Sequence, residues 1–335
     1  MLSFTATAFA NNSADLSVVS DPPDYAWIRN QNGDPVVPFP KNKNGATYVA
    51  DEFSTSARSI NVSFVIEAGN RNVSGGGTGF RVEIPEIQVQ TIGGYVTVSQ
   101  VIDAVNKLSA VYGLTFYGSG GAAFTTTTSY LDAVKYGATT WQAGQVSDYI
   151  NGQYGFDGWA YRLNDLFPVV PLDGYGDPWY EGTQINKVYV SPGDVVHLFY
   201  DLPADYSIYS GPNFAANYIR ALPTNVSGSS ITVQLQGHKT NIDSNFWMYV
   251  YDYVPLGSGN VATLWSVSGS SWTLVGTGTT DSFGNITFTG SFTSGATYFF
   301  KTASTFKSGY SGLGVPIFGN AFFERTGAFS KIIMP

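Results

Sequence analysis

The chain contains no cysteine. Disulfides, a thiolate nucleophile and zinc–thiolate sites are therefore excluded. Histidine is nearly absent too, with two in 335 residues. His197 lies in VVHLFYD with an apolar neighbour on each side and reads as a sheet residue, not a base. His238, in QGHKT, has no carboxylate–histidine pattern nearby, and two histidines without cysteine do not make a zinc site. Charge is scarce: Asp, Glu, Lys and Arg make up 12%, about half the roughly 25% of ordinary soluble domains. The 24 acidic and 16 basic side chains leave a net charge of −8. That argues against nucleic acid, which needs a basic footprint, and against electrostatic adhesion to anionic lipid. No run approaches the roughly 18 to 20 apolar residues that cross a bilayer, so no transmembrane segment is expected. Neither a Gly-x-Ser-x-Gly elbow nor a P-loop occurs. Gly118–Ala123 fits a relaxed dinucleotide fingerprint, but FTTTT follows it, so no helix dipole stands behind a phosphate. These absences point away from an enzyme and away from any cofactor.

What fills the gap is glycine, hydroxyl and amide side chains, and rings. Aromatics are 16% of the chain and hydrophobic residues 43%, enough for a sizeable core. The length suits two or three domains. A surface kept soluble by hydroxyls and amides is common in secreted and cell-surface proteins, so an extracellular or cell-surface location is expected. Without disulfides its stability must come from packing, a habit more of prokaryotic surface proteins than of small animal secreted domains. Rings on strands stack on ligands, fill cores or make subunit contacts.

Along the chain, Leu2, Phe4, Ala6 and Ala8 alternate with polar residues and read as an N-terminal strand. Ala8-Phe9-Ala10 has the small-x-small form of a leader cleavage site, but no basic residues precede it and the stretch is short for a leader. Pro22, Pro23, Pro35, Pro38 and Pro40 then predict an extended, irregular segment. INVSFVIE (60–67) and FRVEIPEIQVQTI (80–92) predict a strand pair. Val98, Val101, Ile102, Val105, Leu108 and Val111 recur at helical spacing, which predicts a helix over 99–112 with Ser99 as N-cap and Gly113 as C-cap. A weaker helix is expected over 141–151. After Pro203 come short β-branched and aromatic runs separated by turn residues, the pattern of an all-β sandwich, with Asp281–Asn285 as a hairpin turn. The expected fold class is mainly β, with an α+β middle domain built on one main helix, an immunoglobulin-like sandwich and an extended N-terminal strand. Asn-x-Ser/Thr triplets at Asn11, Asn61, Asn72, Asn225 and Asn285 are possible glycosylation acceptors.

One stretch, GFDGWAYRLNDLFP (155–168), carries more. Trp159, Tyr161 and Leu163 fall on one strand face, and Ala160 and Arg162 on the other, before a turn at Asn164-Asp165. Ser191-Pro192-Gly193-Asp194 is a second tight turn leading into Val195–Tyr200. The order of hairpin, helix entered through TVSQVIDAV, GWAYRLND and PGDVVHLFYD resembles the transcobalamin C-terminal-like domain, a β-grasp-like module, over roughly residues 60–202. Two inserts, about 113–155 and 169–187, depart from it. The resemblance implies corrinoid (cobalamin) binding, which in the B12 carriers also involves a helical barrel domain that nothing in this sequence is patterned to supply. Residues 224–300, with GTGTTDSFGNITFTGSFTSGATYFFKT, resemble bacterial immunoglobulin-like sandwiches. The expected domains are thus 1–58 (strand arm and extended segment), 59–203 and 224–335.

Three site groups are candidates. Trp159, Tyr161, Trp179 and Tyr180 could stack on a corrinoid or glycan. Asp173, Asp177 and Glu181 alternate with glycines and are weak calcium candidates. Leu2, Phe4, Ala6 and Ala8 could add as a strand to a neighbour's sheet edge. The leading expectation is a non-catalytic secreted subunit that forms a homopolymer, as a filament or surface layer. The alternative is a binding module for a corrinoid or glycan.

Overall fold

The computed structural model describes residues 59–69, 79–92, 96–144, 147–150, 153–156, 158–165, 185–186, 188, 190–201, 219–243, 248–269, 271–308 and 321–335. Leu2, Phe4, Ala6, Ala8, Asn11, Asn72, Asp173, Asp177, Trp179, Tyr180 and Glu181 lie outside them. The described chain is mainly β. Its first half runs β1 (Ser59–Ala68), β2 (Phe80–Gln90), α1 (Val98–Lys107), α2 (Ser109–Tyr112), β3 (Leu114–Gly118), β4 (Ala122–Ala123), β5 (Leu131–Tyr136), β6 (Thr139–Gln142), β7 (Ser147–Ile150), β8 (Gln153–Phe156), β9 (Gly158–Leu163) and β10 (Val195–Asp201). The second half is all strand: β11 (Ile219–Ser227), β12 (Ser230–Asp243), β13 (Met248–Pro255), β14 (Val261–Ser268), β15 (Ser271–Thr279), β16 (Asn285–Thr289), β17 (Thr297–Thr302), β18 (Thr305–Ser308), β19 (Ala321–Arg325) and β20 (Phe329–Ile333).

The first module is organised by β1, the apolar run SINVSFVIEA, whose residues from Val62 to Ala68 are all buried. Its sheet has the order β2-β1-β10-β9, with β1 antiparallel to β2 and parallel to β10. A parallel pair needs cover on both faces and therefore reads as a continuous apolar run. Val62, Phe64, Ile66 and Ala68 pack into a core shared with α1, Phe116, Val134 and Trp141. Ser63, Val65 and Glu67 alternate to the opposite face.

The helix is capped two residues earlier than its spacing predicts. Thr97, not Ser99, is the N-cap, in a capping box with Gln100: the Thr97 hydroxyl accepts the Gln100 N–H, and the Gln100 side chain accepts the Thr97 N–H at 2.8 Å. Ser99 instead donates its hydroxyl to the Thr126 carbonyl. The helix also breaks at Leu108, and the last turn, α2, closes on Gly113 in the left-handed conformation, φ 69°. Among the described residues of 141–151 there is no helix. That stretch ends β6, turns at Gly144 and enters β7, because strand pairing places Trp141 opposite Val134 and buries its ring. Tertiary burial outweighs local propensity there.

The second module is a sandwich. One sheet pairs β12 with β11 along one edge, and with β16 and then β13 along the other. The second has the order β15-β14-β17-β20. Ile231, Val233, Leu235, Ile286 and Phe288 of the first sheet meet Leu264, Phe300 and Ile332 of the second. Asp281–Asn285 turns as expected but makes no hairpin, since it carries the chain from β15 in one sheet to β16 in the other. The Asp281 carboxylate accepts the Phe283 and Asn285 N–H groups at 2.8 and 2.9 Å. Gly284 has φ +79°, and a Cβ there would lie 2.7 Å from the Leu256 carbonyl oxygen, so the crossing requires glycine.

The two modules stack sheet on sheet. Val65 and Val195 of the first pack on Phe299 and Phe329 of the second, flanked by Val267 and Trp272. The helix side, two sheets face to face and the outer sandwich sheet form successive layers.

Candidate functional site

Where the modules meet, strand alternation delivers charged side chains to a buried plane. Tyr161 points into the first core while Arg162, its neighbour on β9, points to the second module and has no exposed side-chain surface. His197 faces Arg162 across the antiparallel pair and Val65 across the parallel one. The Arg162 Nη2–H donates to His197 Nδ1 at 2.7 Å and to the Gly327 carbonyl at 2.6 Å. Its Nη1–H donates to the Ile219 carbonyl at 3.1 Å. Asp165 lies 3.7 Å from Nη1 and accepts the Ala221 and Phe329 N–H groups and the Ser330 hydroxyl. One strand and its turn thereby hold two segments of the second module, 219–221 and 327–330.

The other ring nitrogen of His197 bonds Glu67 at 2.8 Å. A guanidinium only donates, so Nδ1 must be the acceptor and Nε2 must carry the proton that goes to Glu67. Burial first, and the Arg162 cation second, lower the His197 pKa to about 4. Burial alone would raise the Glu67 carboxyl. The Arg81 guanidinium 3.1 Å away, the His197 N–H and the Ser304 hydroxyl outweigh it and hold the carboxyl at about 2. An ionised Glu67 beside a neutral His197 leaves neither poised for proton transfer near neutral pH.

The plane opens into a cleft of about 660 Å³ lined by Glu67–Gly69, Gly79–Arg81 and Glu83 of the first module and Thr263, Trp265 and Lys301–Ser304 of the second. Its floor follows from register, because residues opposite one another in antiparallel strands share a face. Trp265 lies opposite Leu274 and Phe299, and Thr263 opposite Lys301. The Phe299 end of this face is covered by β1 and β10, whereas Trp265 is half-buried at the cleft and Leu274 is 49% exposed. Lys301 Nζ sits 3.3 Å from the Trp272 ring centre and 5.0 Å from that of Trp265, a cation over aromatic faces, and is salt-bridged to Glu83. Burial lowers its ammonium pKa, although Glu83 opposes this.

The residues singled out from sequence are distributed differently. Tyr161 is 6% exposed and belongs to the core, where burial pushes its phenol upward. Trp159 is half-buried, donates its indole N–H to the Trp141 carbonyl at 3.0 Å and meets Tyr200 edge-on. Neither lines the cleft. His197 is a strand residue, as expected. Among the acceptor triplets, Asn61 donates its amide to Glu86, and Ser63 is buried and bonded to the Pro85 carbonyl. Asn285 contacts Asp281, and Asn225 sits exposed within β11, opposite Thr232. Among the described residues no three metal-ligating side chains gather, and no helix is long and apolar enough to cross a membrane. Arg162, Glu67, Arg81, Trp265 and Lys301 were not legible as a set. The one local signal was a charged residue on a strand face opposite three apolar rings and chains.

No family model matches the chain, and no solved structure matches it. Over 132 residues the chain is 33% identical to a lectin-related protein of Cladrastis kentukea, a similarity that takes in 35% of this chain and 44% of that protein. The chain thus spans less than half the length of this curated relative.

Proposed function

We propose that the protein is a non-catalytic carbohydrate-binding protein of the cell surface, with its sugar site in the cleft floored by Trp265. The observation that carries this reading is the half-buried Trp265 ring on a sheet face, beside hydroxyls and a fixed ion-pair network at the mouth of a cleft of ligand size. A sugar presents a C–H face that packs on an aromatic ring and a rim of hydroxyls that bonds polar neighbours, here Thr263, Glu83 and Lys301. The similarity to a lectin-related protein supports it. So do the scarce charge and absent cysteine, and so does the engagement of Glu67 and His197 with structural partners. We read the first module as transcobalamin C-terminal-like and the second as immunoglobulin-like. The mixed sheet with its one main helix and the two-sheet sandwich support those readings.

The test is a glycan array followed by calorimetry, with cobalamin as a further arm. The wild-type protein is expected to bind a glycan, and Trp265→Ala to weaken binding at least about tenfold, roughly 1.4 kcal/mol, without a change in melting temperature. Unchanged affinity in the variant, or a folded protein silent to every glycan, would overturn the reading. Response to cobalamin alone would replace it with the corrinoid reading.

A second reading, self-assembly into a filament or surface layer, is favoured by β15. The edge of β2 is guarded by Arg81, Glu83, Pro85 and Glu86, as natural sheet edges are. The outer edge of β15, SWTLVGTGT, has neither charge nor proline and pairs with no strand among the described residues. Its one guard is the bulge opposite Leu264 and Trp265. The alternating segment Leu2–Ala8 of another copy is the proposed donor. Deleting residues 1–10 is expected to leave folded monomers that form no polymer by negative-stain microscopy. Polymers of wild-type appearance would exclude the arm.

A further inference from the structure

We propose that the interface between the modules is an acid-sensitive latch: a proton on His197 turns the acceptor that holds Arg162 into a donor and releases the two modules from each other while each keeps its own core. The inference is independent of the carbohydrate reading.

The geometry leaves little freedom. His197 and Arg162 belong to the first module, and the Ile219 and Gly327 carbonyls that Arg162 binds belong to the second. Neutral imidazole offers one acceptor, Nδ1, and the guanidinium uses it at 2.7 Å. A proton there would set N–H against N–H and cation against cation. The compensating anion, Glu67, gains no new bond, because it already accepts the Nε2–H, Arg81 and Ser304. The charged groups around His197 are Glu67 from β1, Arg162 from β9 and Arg81 from β2, with Asp165 beyond Arg162. Ser304 and Gly327 close it from the second module. Arg162 therefore moves away, Asp165 loses its partner, and the bonds of Asp165 to the Ala221 and Phe329 N–H groups follow. Burial and Arg162 place the His197 transition at about pH 4, so the latch is closed at neutral pH. Asp194, whose carboxyl burial raises to about 6 against the Asn164 and Ser191 bonds, titrates with the opposite sign just ahead of β10.

Hydrogen exchange at neutral pH and just below pH 4, corrected for intrinsic rates, tests this on the full chain. The seam amides of Ala221 and Phe329, which donate to Asp165, are expected to lose protection on acidification, while β1 and β12 keep theirs. In His197→Gln, which cannot take up a proton, seam protection is expected to be independent of pH over the same range. Loss of protection in seam and cores together overturns the latch, as does opening in His197→Gln at the wild-type pH. If that variant does not fold, the wild-type protein still decides. The NMR titration midpoint of the His197 ring must coincide with that of seam opening, and a separation of more than about one pH unit, roughly 1.4 kcal/mol, overturns it.

Discussion

Arg162→Met is expected to destabilise the protein by about 3–5 kcal/mol, the usual consequence of removing one partner from a buried ion pair. Methionine fills the volume, so the loss is not a cavity. It arises because Asp165, 1% exposed, is left in the interior without its cation, while the Ile219 and Gly327 carbonyls and His197 Nδ1 lose their donor. Each such orphan adds about 1–3 kcal/mol before relaxation. All three orphans and Asp165 lie between the modules, so the damage falls on their coupling and not on either core. Urea unfolding followed by fluorescence is expected to change from one transition to two, since two-state behaviour holds only while the modules unfold together. A single transition at the wild-type midpoint would mean that Val65, Val195, Phe299 and Phe329 hold the modules together alone.

The seam was only half legible in the sequence. Alternation in GWAYRL correctly separates Trp159, Tyr161 and Leu163 from Ala160 and Arg162, and so places Arg162 away from the first core. It does not say that the second face is also buried. What buries it is β20 and the residues before it, with Phe329 donating to Asp165 across 164 positions and Ser304 to Glu67 across 237. Contacts of that range depend on how two modules dock, and no window of periodicity contains them. Local signals fared according to how local their causes were. The strand pair at 60–92 and the Gly113 cap lie where expected, because hydrophobic spacing and a left-handed residue decide them. The N-cap moved from Ser99 to Thr97 because Gln100 completes a box only with Thr97. The expected helix at 141–151 gave way to strands because the burial of Trp141 depends on β5 and on Gly69, whose carbonyl its indole N–H reaches across 72 positions. Trp265 and Lys301 looked like ordinary strand residues. Only register across β14, β15 and β17 shows that they share an open face.

Glu67→Gln removes the other anchor of the seam, and its pH dependence identifies the cause. The amide is nearly isosteric, but one of its positions now donates. Glu67 accepts from three donors, Arg81, His197 and the Ser304 hydroxyl, whose one proton lies between both oxygens, so an NH₂ group at either oxygen meets donors. Arg81 meanwhile keeps its charge with Glu83 as its remaining partner. The carboxyl of Glu67 falls from 4.5 to about 2 on folding. A group lowered in this way stabilises the fold above its unfolded pKa, and the contribution disappears as pH falls through the folded value. The shift corresponds to about 3 kcal/mol at neutral pH. Urea midpoints at successive pH values are therefore expected to show Glu67→Gln well below wild type above pH 4.5, with the gap narrowing toward pH 4 as the wild type loses its advantage. His197, lowered to about 4, destabilises both proteins alike as pH falls from its unfolded value of 6.5 toward 4 and cancels in the difference there; below 4 the variant, which lacks the anion favouring the imidazolium, loses more, so the narrowing of the gap is read above pH 4. Asp194 acts with the opposite sign, stabilising below 3.8 and losing that contribution as pH rises through about 6; it is common to both proteins and cancels in the difference. A gap of constant size from neutral pH to pH 4 would mean that the amide disturbs packing alone, and that the charge on Glu67 does not hold the seam.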